Sequence, residues 1–186
     1  MSTLIFLEAS KIFVKNLIKY QKRYILKDYF SFDTYWQIDK SEVKDELIQF
    51  WVNNAVLKKE VAEKRVDEVV ILCRNKEQRL IGVATVFKSP IEQLRNDAYV
   101  FRCFISEKHR APALDTQLVI KSFDILQQYV DANPDDKAVG LLIVVQNELI
   151  KQNWNKAIWP DVGMVYIGNL PNGDHMRICY FNGVKV

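Results

Sequence analysis

Ala98–Ser106 reads AYVFRCFIS and Val139–Val145 reads VGLLIVV. Between them lie the polar passage Glu107–Ala113 (EKHRAPA) and a segment, 114–131, in which Leu114, Leu118, Val119, Phe123, Leu126 and Val130 recur at helical spacing. The first run is rich in aromatic and branched residues and suits a strand. The stripe marks the buried face of a strong helix, and Asn133-Pro134-Asp135-Asp136 ends it. Val139–Val145 is almost continuously apolar, as expected of a central strand covered on both faces.

Upstream, Glu68–Arg74 (EVVILCR) and Arg79–Lys88 (RLIGVATVFK) are two further strands, joined by the polar turn Asn75–Gln78 into an antiparallel hairpin. Ser89-Pro90 is expected to break the second. Val43, Leu47, Phe50, Trp51 and Ala55 line one face of a helix that the spacing extends to about Glu63, with Asp39 and Ser41 as candidate caps. A first helix is expected over 10–27, carrying Ile12, Phe13, Leu17, Ile18, Tyr20 and Tyr24. Residues 28–40 read as aromatic and irregular. Downstream, 147–158 reads as a helix stopped before Pro160, and Met164–Gly168 and Met176–Phe181 form a hairpin about Asn172-Gly173.

With 186 residues, 49% of them hydrophobic and 12% aromatic, the chain can bury a sizeable core. It reads as a single domain over 1–186, with 1–40 an N-terminal helical and aromatic segment and 41–186 the core. The net charge of +3 comes from 26 basic and 23 acidic residues scattered among one another, so no nucleic-acid partner is expected. The local exception is Lys11–Lys27, with Lys15, Lys19, Lys22 and Arg23 between; it reads as a solvated helix face, or else as a phosphate or membrane contact. Cys73, Cys103 and Cys179 sit in apolar runs without pairing patterns and read as buried free thiols of a reducing compartment. No signal peptide and no membrane span is read, so the expected location is cytoplasmic, with no membrane partner.

Three passages resemble the GNAT N-acyltransferase superfamily. Arg79-Leu-Ile-Gly-Val-Ala resembles the family's third strand. Phe104-Ile-Ser-Glu-Lys-His-Arg110 resembles the end of its fourth strand and the start of its phosphate loop. Gly163-Met-Val-Tyr-Ile-Gly168 resembles the Gly-Phe step into its sixth. The resemblance runs from about residue 41 to the C-terminus. It implies an α/β (mixed α+β) fold with a central mixed, mostly antiparallel sheet flanked by helices on both faces. It also implies acetyl-CoA or another acyl-CoA as co-substrate, lying between splayed fourth and fifth strands with its pyrophosphate on a helix N-terminus. The acceptor would be a small-molecule or peptide amine, and a homodimer through the terminal hairpins would be in keeping.

The family's loop carries Gln or Arg, two residues, Gly, one residue, then Gly or Ala. Here it reads Arg110-Ala111-Pro112-Ala113-Leu114-Asp115. Arg110 matches, Ala113 stands for a glycine, Pro112 lacks an N–H, and Asp115 puts a carboxylate where phosphate belongs. By resemblance the cofactor-binding residues are Phe104, Ile105, Arg110, Ala111, Pro112, Ala113, Leu114 and Asn147. Two readings stay open: Asp115 caps a purely structural helix, or the loop shifts and Lys108, His109 and Arg110 offset the carboxylate.

The family's general acid is commonly a Tyr four residues before the Gly of the Gly-Phe step; that position is Trp159, whose indole cannot give up a proton. Tyr166 replaces it if it faces the cleft, and is otherwise a sheet-face tyrosine. Asn147 orients pantetheine or a water, or caps a helix. Glu68, Glu107 and His109 are the candidate bases, Glu107 lying at the right end of the strand. Tyr166, Asn147 and Glu107 are thus the candidate catalytic residues. Cys103 reads as core, His175 as exposed, and no metal site is expected. Tyr29, Phe30, Tyr35 and Trp36 line an acceptor pocket, or pack a loop onto the domain. Three functions follow: an acyl-CoA-dependent N-acyltransferase, a non-catalytic GNAT-shaped binding or assembly protein, or an acyltransferase served by a carrier protein.

Overall fold

The computed structural model describes residues 29–111 and 113–184. The helix expected over 10–27, with its basic face, lies outside the described residues, as does Pro112. The described elements run β1 (Phe30–Thr34), α1 (Lys44–Asn53), α2 (Lys59–Arg65), β2 (Val69–Asn75), β3 (Leu80–Ile91), β4 (Asn96–Ile105), α3 (Leu114–Ala132), β5 (Gly140–Val145), α4 (Glu148–Asn153), β6 (Ile158–Trp159), β7 (Met164–Asn169) and β8 (His175–Tyr180). The strands form one sheet in the order β1-β2-β3-β4-β5-β8-β7-β6. Its described pairings are antiparallel except β4 with β5, which is parallel.

The alternation of side chains across the strands sorts the core onto the two faces. Ile71, Cys73, Ala84, Phe101 and Leu141 meet Leu114, Leu118 and Leu126 of α3. Val69, Leu72 and Val83 meet Leu47, Phe50 and Trp51 of α1 and Ala62 of α2. Covered on both sides, β2 is buried from Val69 to Cys73. Burial of a leucine such as Leu118 or Leu126 contributes ~2 kcal/mol. At the start of β5 the backbones crowd: a Cβ on Gly140 would lie 2.4 Å from the Cys179 carbonyl oxygen.

Several expectations are corrected. Phe30–Thr34 is not irregular but a strand, paired with Ile71–Asn75 of β2. Of the two readings of the aromatic segment, the contacts among the described residues follow the packing one: Trp36 packs edge-on against Tyr99 and Tyr129, Tyr35 packs on the α1 side, and Tyr29 is exposed under Lys76. The long helix over 43–63 is two. Ala55 N–H reaches Val52 O, Val56 N–H reaches Trp51 O, and Ala55 takes φ +55, a Schellman closure made without glycine.

Ser89-Pro90 does not break β3, which runs on to Ile91. The Asp97 carbonyl accepts from Val139 N, so residue 97 turns its peptide groups toward β5, and its partner Pro90 turns away from β4. The outward side there lies beyond Thr85, the last β3 residue paired with β2, so the missing N–H removes no ladder bond. The helix over 147–158 stops at Asn153, and Ile158–Trp159 forms a short edge strand on β7. Cys103 is exposed rather than core, while Cys73 is buried and Cys179 half-buried. No described helix is long and apolar enough to cross a membrane.

Candidate active site

The parallel pair comes apart. β4 and β5 are paired from Tyr99↔Leu141 to Phe101↔Ile143 and no further, although β4 continues to Ile105 and β5 to Val145. Each keeps its outer neighbour: Phe104 and Ile105 stay on Val83 and Gly82 of β3, and Val145 stays on His175 of β8. Because residue 97 faces β5 and the register of β4 has no shift, the peptide groups of Cys103 and Ile105 also turn toward β5. They open onto the gap. The Cys103 side chain stands on the α3 face beside it and reaches solvent.

The loop after β4 leads into the helix beside this gap. Ser106 N–H bonds Ile81 O, Glu107–His109 make a single 3-10 turn, and Ser106 Oγ meets His109 Nδ1 at 2.8 Å. Ala111 N–H bonds His109 O at 2.7 Å. Ala113 then takes the N-cap position of α3 at φ +68, a left-handed conformation that glycine adopts without strain. Asp115 is therefore not the cap. It lies in the first helical turn, where Oδ1 accepts from Thr116 N at 2.7 Å. The carboxylate occupies one of the amides that a helix N-terminus offers to anions.

The other expected residues are dispersed about this gap. Arg110 is exposed and Leu114 is fully buried in the core. The Phe104 ring packs on Phe50, centroids 5.6 Å apart, on the α1 face. Glu107 is exposed at the loop. Asn147, just beyond β5, is a helix cap: its Oδ1 accepts from Leu149 N and Ile150 N at 2.9 and 3.2 Å. Tyr166 stands on β7, separated from β5 by β8, 39% exposed, with its hydroxyl donating to Asn169 Oδ1 at 2.8 Å. Glu68 pairs with Arg102 and lies 3.9 Å from Arg65. Trp159 Nε1 donates to the Trp154 carbonyl at 2.7 Å. Among the described residues no group of three His, Cys, Asp or Glu side chains is placed to hold a metal ion.

One residue went unread in the sequence. Arg177 of β8 is 1% exposed and lies under the Trp159 ring. Its signal was a cation inside the apolar run Met176–Phe181, next to a strand covered on both faces.

A sheet in this order, with one parallel pair splayed beside a helix N-terminus, decides the architecture. The fold is that of the GNAT acetyltransferases. Solved structures bear this out. The ribosomal-protein-S5-alanine acetyltransferase from Vibrio fischeri superposes at TM-score 0.56 with 11% identity, over 84% of this chain and 96% of that one. AtaTR bound with AcCoA gives 0.55 and 13%, over 81% and 94%. Spermidine N-acetyltransferase from Vibrio cholerae, in complex with CoA and spermine, gives 0.53 and 11%, over 82% and 94%. No protein-family model and no curated protein matches the chain. The GNAT fold here is carried by topology, with little sequence left in common.

Proposed function

We propose that this chain binds an acyl-CoA between β4 and β5 and moves the acyl group to an amine. The observation that carries the reading is the splay itself. Both strands continue past Phe101↔Ile143 without pairing, leaving the Cys103 and Ile105 peptide groups open to an extended, amide-bearing arm such as pantetheine. The α3 N-terminus adjoins the gap, and Arg110, exposed on the loop, would meet the pyrophosphate. The solved neighbours that hold CoA or AcCoA support a ligand of this class. For the chemistry, Glu107 at the loop is the candidate base. Tyr166 and Asn147 are candidates for proton delivery and positioning once their present hydrogen bonds rearrange.

A second reading has its own support. Asp115 holds Thr116 N–H, and the Trp159 N–H is spent on Trp154 O, so neither the phosphate seat nor the usual acid position is furnished. That favours a GNAT-shaped binding module without catalysis. Calorimetric titration with acetyl-CoA and longer acyl-CoAs separates the two. The enzyme reading expects saturable binding that weakens at least tenfold in Arg110→Ala, together with thiol release when amines are added. Absence of heat and of thermal shift at millimolar acyl-CoA defeats it.

A further inference from the structure

Arg177 is a buried cation with no anion among the described residues. Its Nη2 donates to the Trp154 carbonyl at 3.1 Å, while Nε and Nη1 are buried without a partner. The guanidinium carbon lies 4.3 Å from the centre of the Trp159 ring and 5.6 Å from that of Tyr166. Aromatic faces hold a guanidinium in place but do not satisfy its N–H groups. A structural arginine of this molecule looks different. Arg74 is also largely buried, yet it is forked onto Glu46 at 2.7 and 2.6 Å and bonded to Asp33 at 3.2 Å. A charge held in protein without a counter-ion opposes folding, and such groups mark sites where a ligand completes the pairing.

The position of Arg177 says which ligand. It pairs with Ile143, the last β5 residue still opposite β4, and with Tyr166 of β7, so it stands on the α3 face of the sheet beside the splay. Trp159, the residue standing where the family's general acid is expected, lies directly over it. The geometry points to a carboxylate-recognition subsite: we propose that Arg177 receives the carboxylate of the acceptor, so that the acceptor is an amine that also carries a carboxylate, an amino acid or short peptide. One guanidinium between two rings fits a flat, singly charged carboxylate through paired N–H···O bonds. A phosphate dianion calls for more than one cation.

Entry requires the cover to move. Trp154 and Trp159 meet edge-on with centroids 5.8 Å apart, and Trp154 is itself 50% exposed. Trp154 follows the end of α4, in a stretch without regular structure up to Ile158. The incoming carboxylate joins or replaces the Trp154 carbonyl on the guanidinium.

This inference rests on the acyl-transfer reading only for the amine half of the acceptor. Glycylglycine and glycylglycinamide share an amine and differ in the carboxylate. Calorimetric titration of the full chain with each is expected to show glycylglycine binding at least tenfold more tightly. Arg177→Met is expected to abolish that preference while raising Tm, because an unpaired buried charge is removed. Arg177→Lys should keep part of the preference. Equal affinity for the two probes, or no binding of either, overturns the proposal. So does a lower Tm or failure to fold in Arg177→Met, which would make the arginine structural. Acetyl-CoA is titrated in parallel. If it does not bind while the preference for glycylglycine stands, the acyl-transfer reading fails and this one does not.

Discussion

Arg74 and Arg177 sit in the two halves of one sheet and are served in opposite ways. On the β1–β3 side, Arg74 ties α1 and β1 to β2 through Glu46 and Asp33. There β2 is paired on both sides, with β1 and with β3, and is covered by α1, α2 and α3. On the β5–β8 side, Arg177 lacks an anion among the described residues, β4 and β5 part, and the loop into α3 closes on its own carboxylate. The first half is organised for stability. The second leaves donors and a gap where a ligand fits, which is the usual cost of a site. The fold persists because it depends on the first half and on the shared β4–β5 base, and not on the residues of the loop.

That contrast can be broken most forcefully at its hinge. Gly140→Ala drives a Cβ to within 2.4 Å of the Cys179 carbonyl oxygen at the point where β5 meets β8. It should cost about 3 kcal/mol in urea denaturation, with the far half of the sheet failing first in hydrogen exchange. A loss below 1 kcal/mol would show that the β5–β8 half is loosely packed. The next effect lies in the loop. Asp115→Ala frees Thr116 N–H and removes a charge from the α3 N-terminus, so acyl-CoA affinity should rise about tenfold while stability falls by ~0.5–1 kcal/mol.

A smaller effect tests the lower end of the sheet. Tyr99 OH donates to Asp136 Oδ2 at 2.7 Å. Burial tends to raise the Asp136 pKa, but the Tyr99 hydroxyl, the Ala138 amide and Lys88 together hold it below the usual carboxylate value. A depressed folded pKa contributes stability above the unfolded value of about 3.9, and that stability is lost as pH falls through the folded value. Tyr99→Phe should cost ~1 kcal/mol at pH 7 and flatten the acid side of the stability curve, read by denaturation from about pH 6 to pH 2. The smallest change is Ala113→Gly. Relief of the φ +68 strain is partly cancelled by the entropy of the unfolded glycine, so a gain of ~0.5 kcal/mol is expected. A loss would mean that the loop relaxes elsewhere.

Much of the fold was legible in the sequence. The β2–β3 hairpin, β4, α3, β5 and the closing hairpin β7–β8 follow from apolar runs and turn residues, because burial on both faces writes itself as pattern. The misreadings have physical causes. β1 is a five-residue edge strand with few apolar residues, so its pairing leaves a weak trace. The stop at Ala55 is a Schellman closure on a residue with good helix propensity. Pro90 is harmless only because its outward side has no partner strand. The site was less legible. The loop is found by resemblance, yet the role of Asp115 depends on whether it stands at the cap or two residues beyond it, in the first turn. The sequence places Cys103 in the core because the splay that exposes it is a property of two strands together. Arg177 was missed because isolated cations in strands usually point to water.

The sheet ends in a two-residue strand at β6 and a five-residue strand at β1. Beside β6, its neighbour β7 takes φ +130 at Gly168 and shifts register against β8. Among the described strands, the long ladders therefore lie in the interior. A second chain approaching either rim finds little straight backbone to copy, and growth of this eight-stranded sheet by strand addition is blunted at both ends.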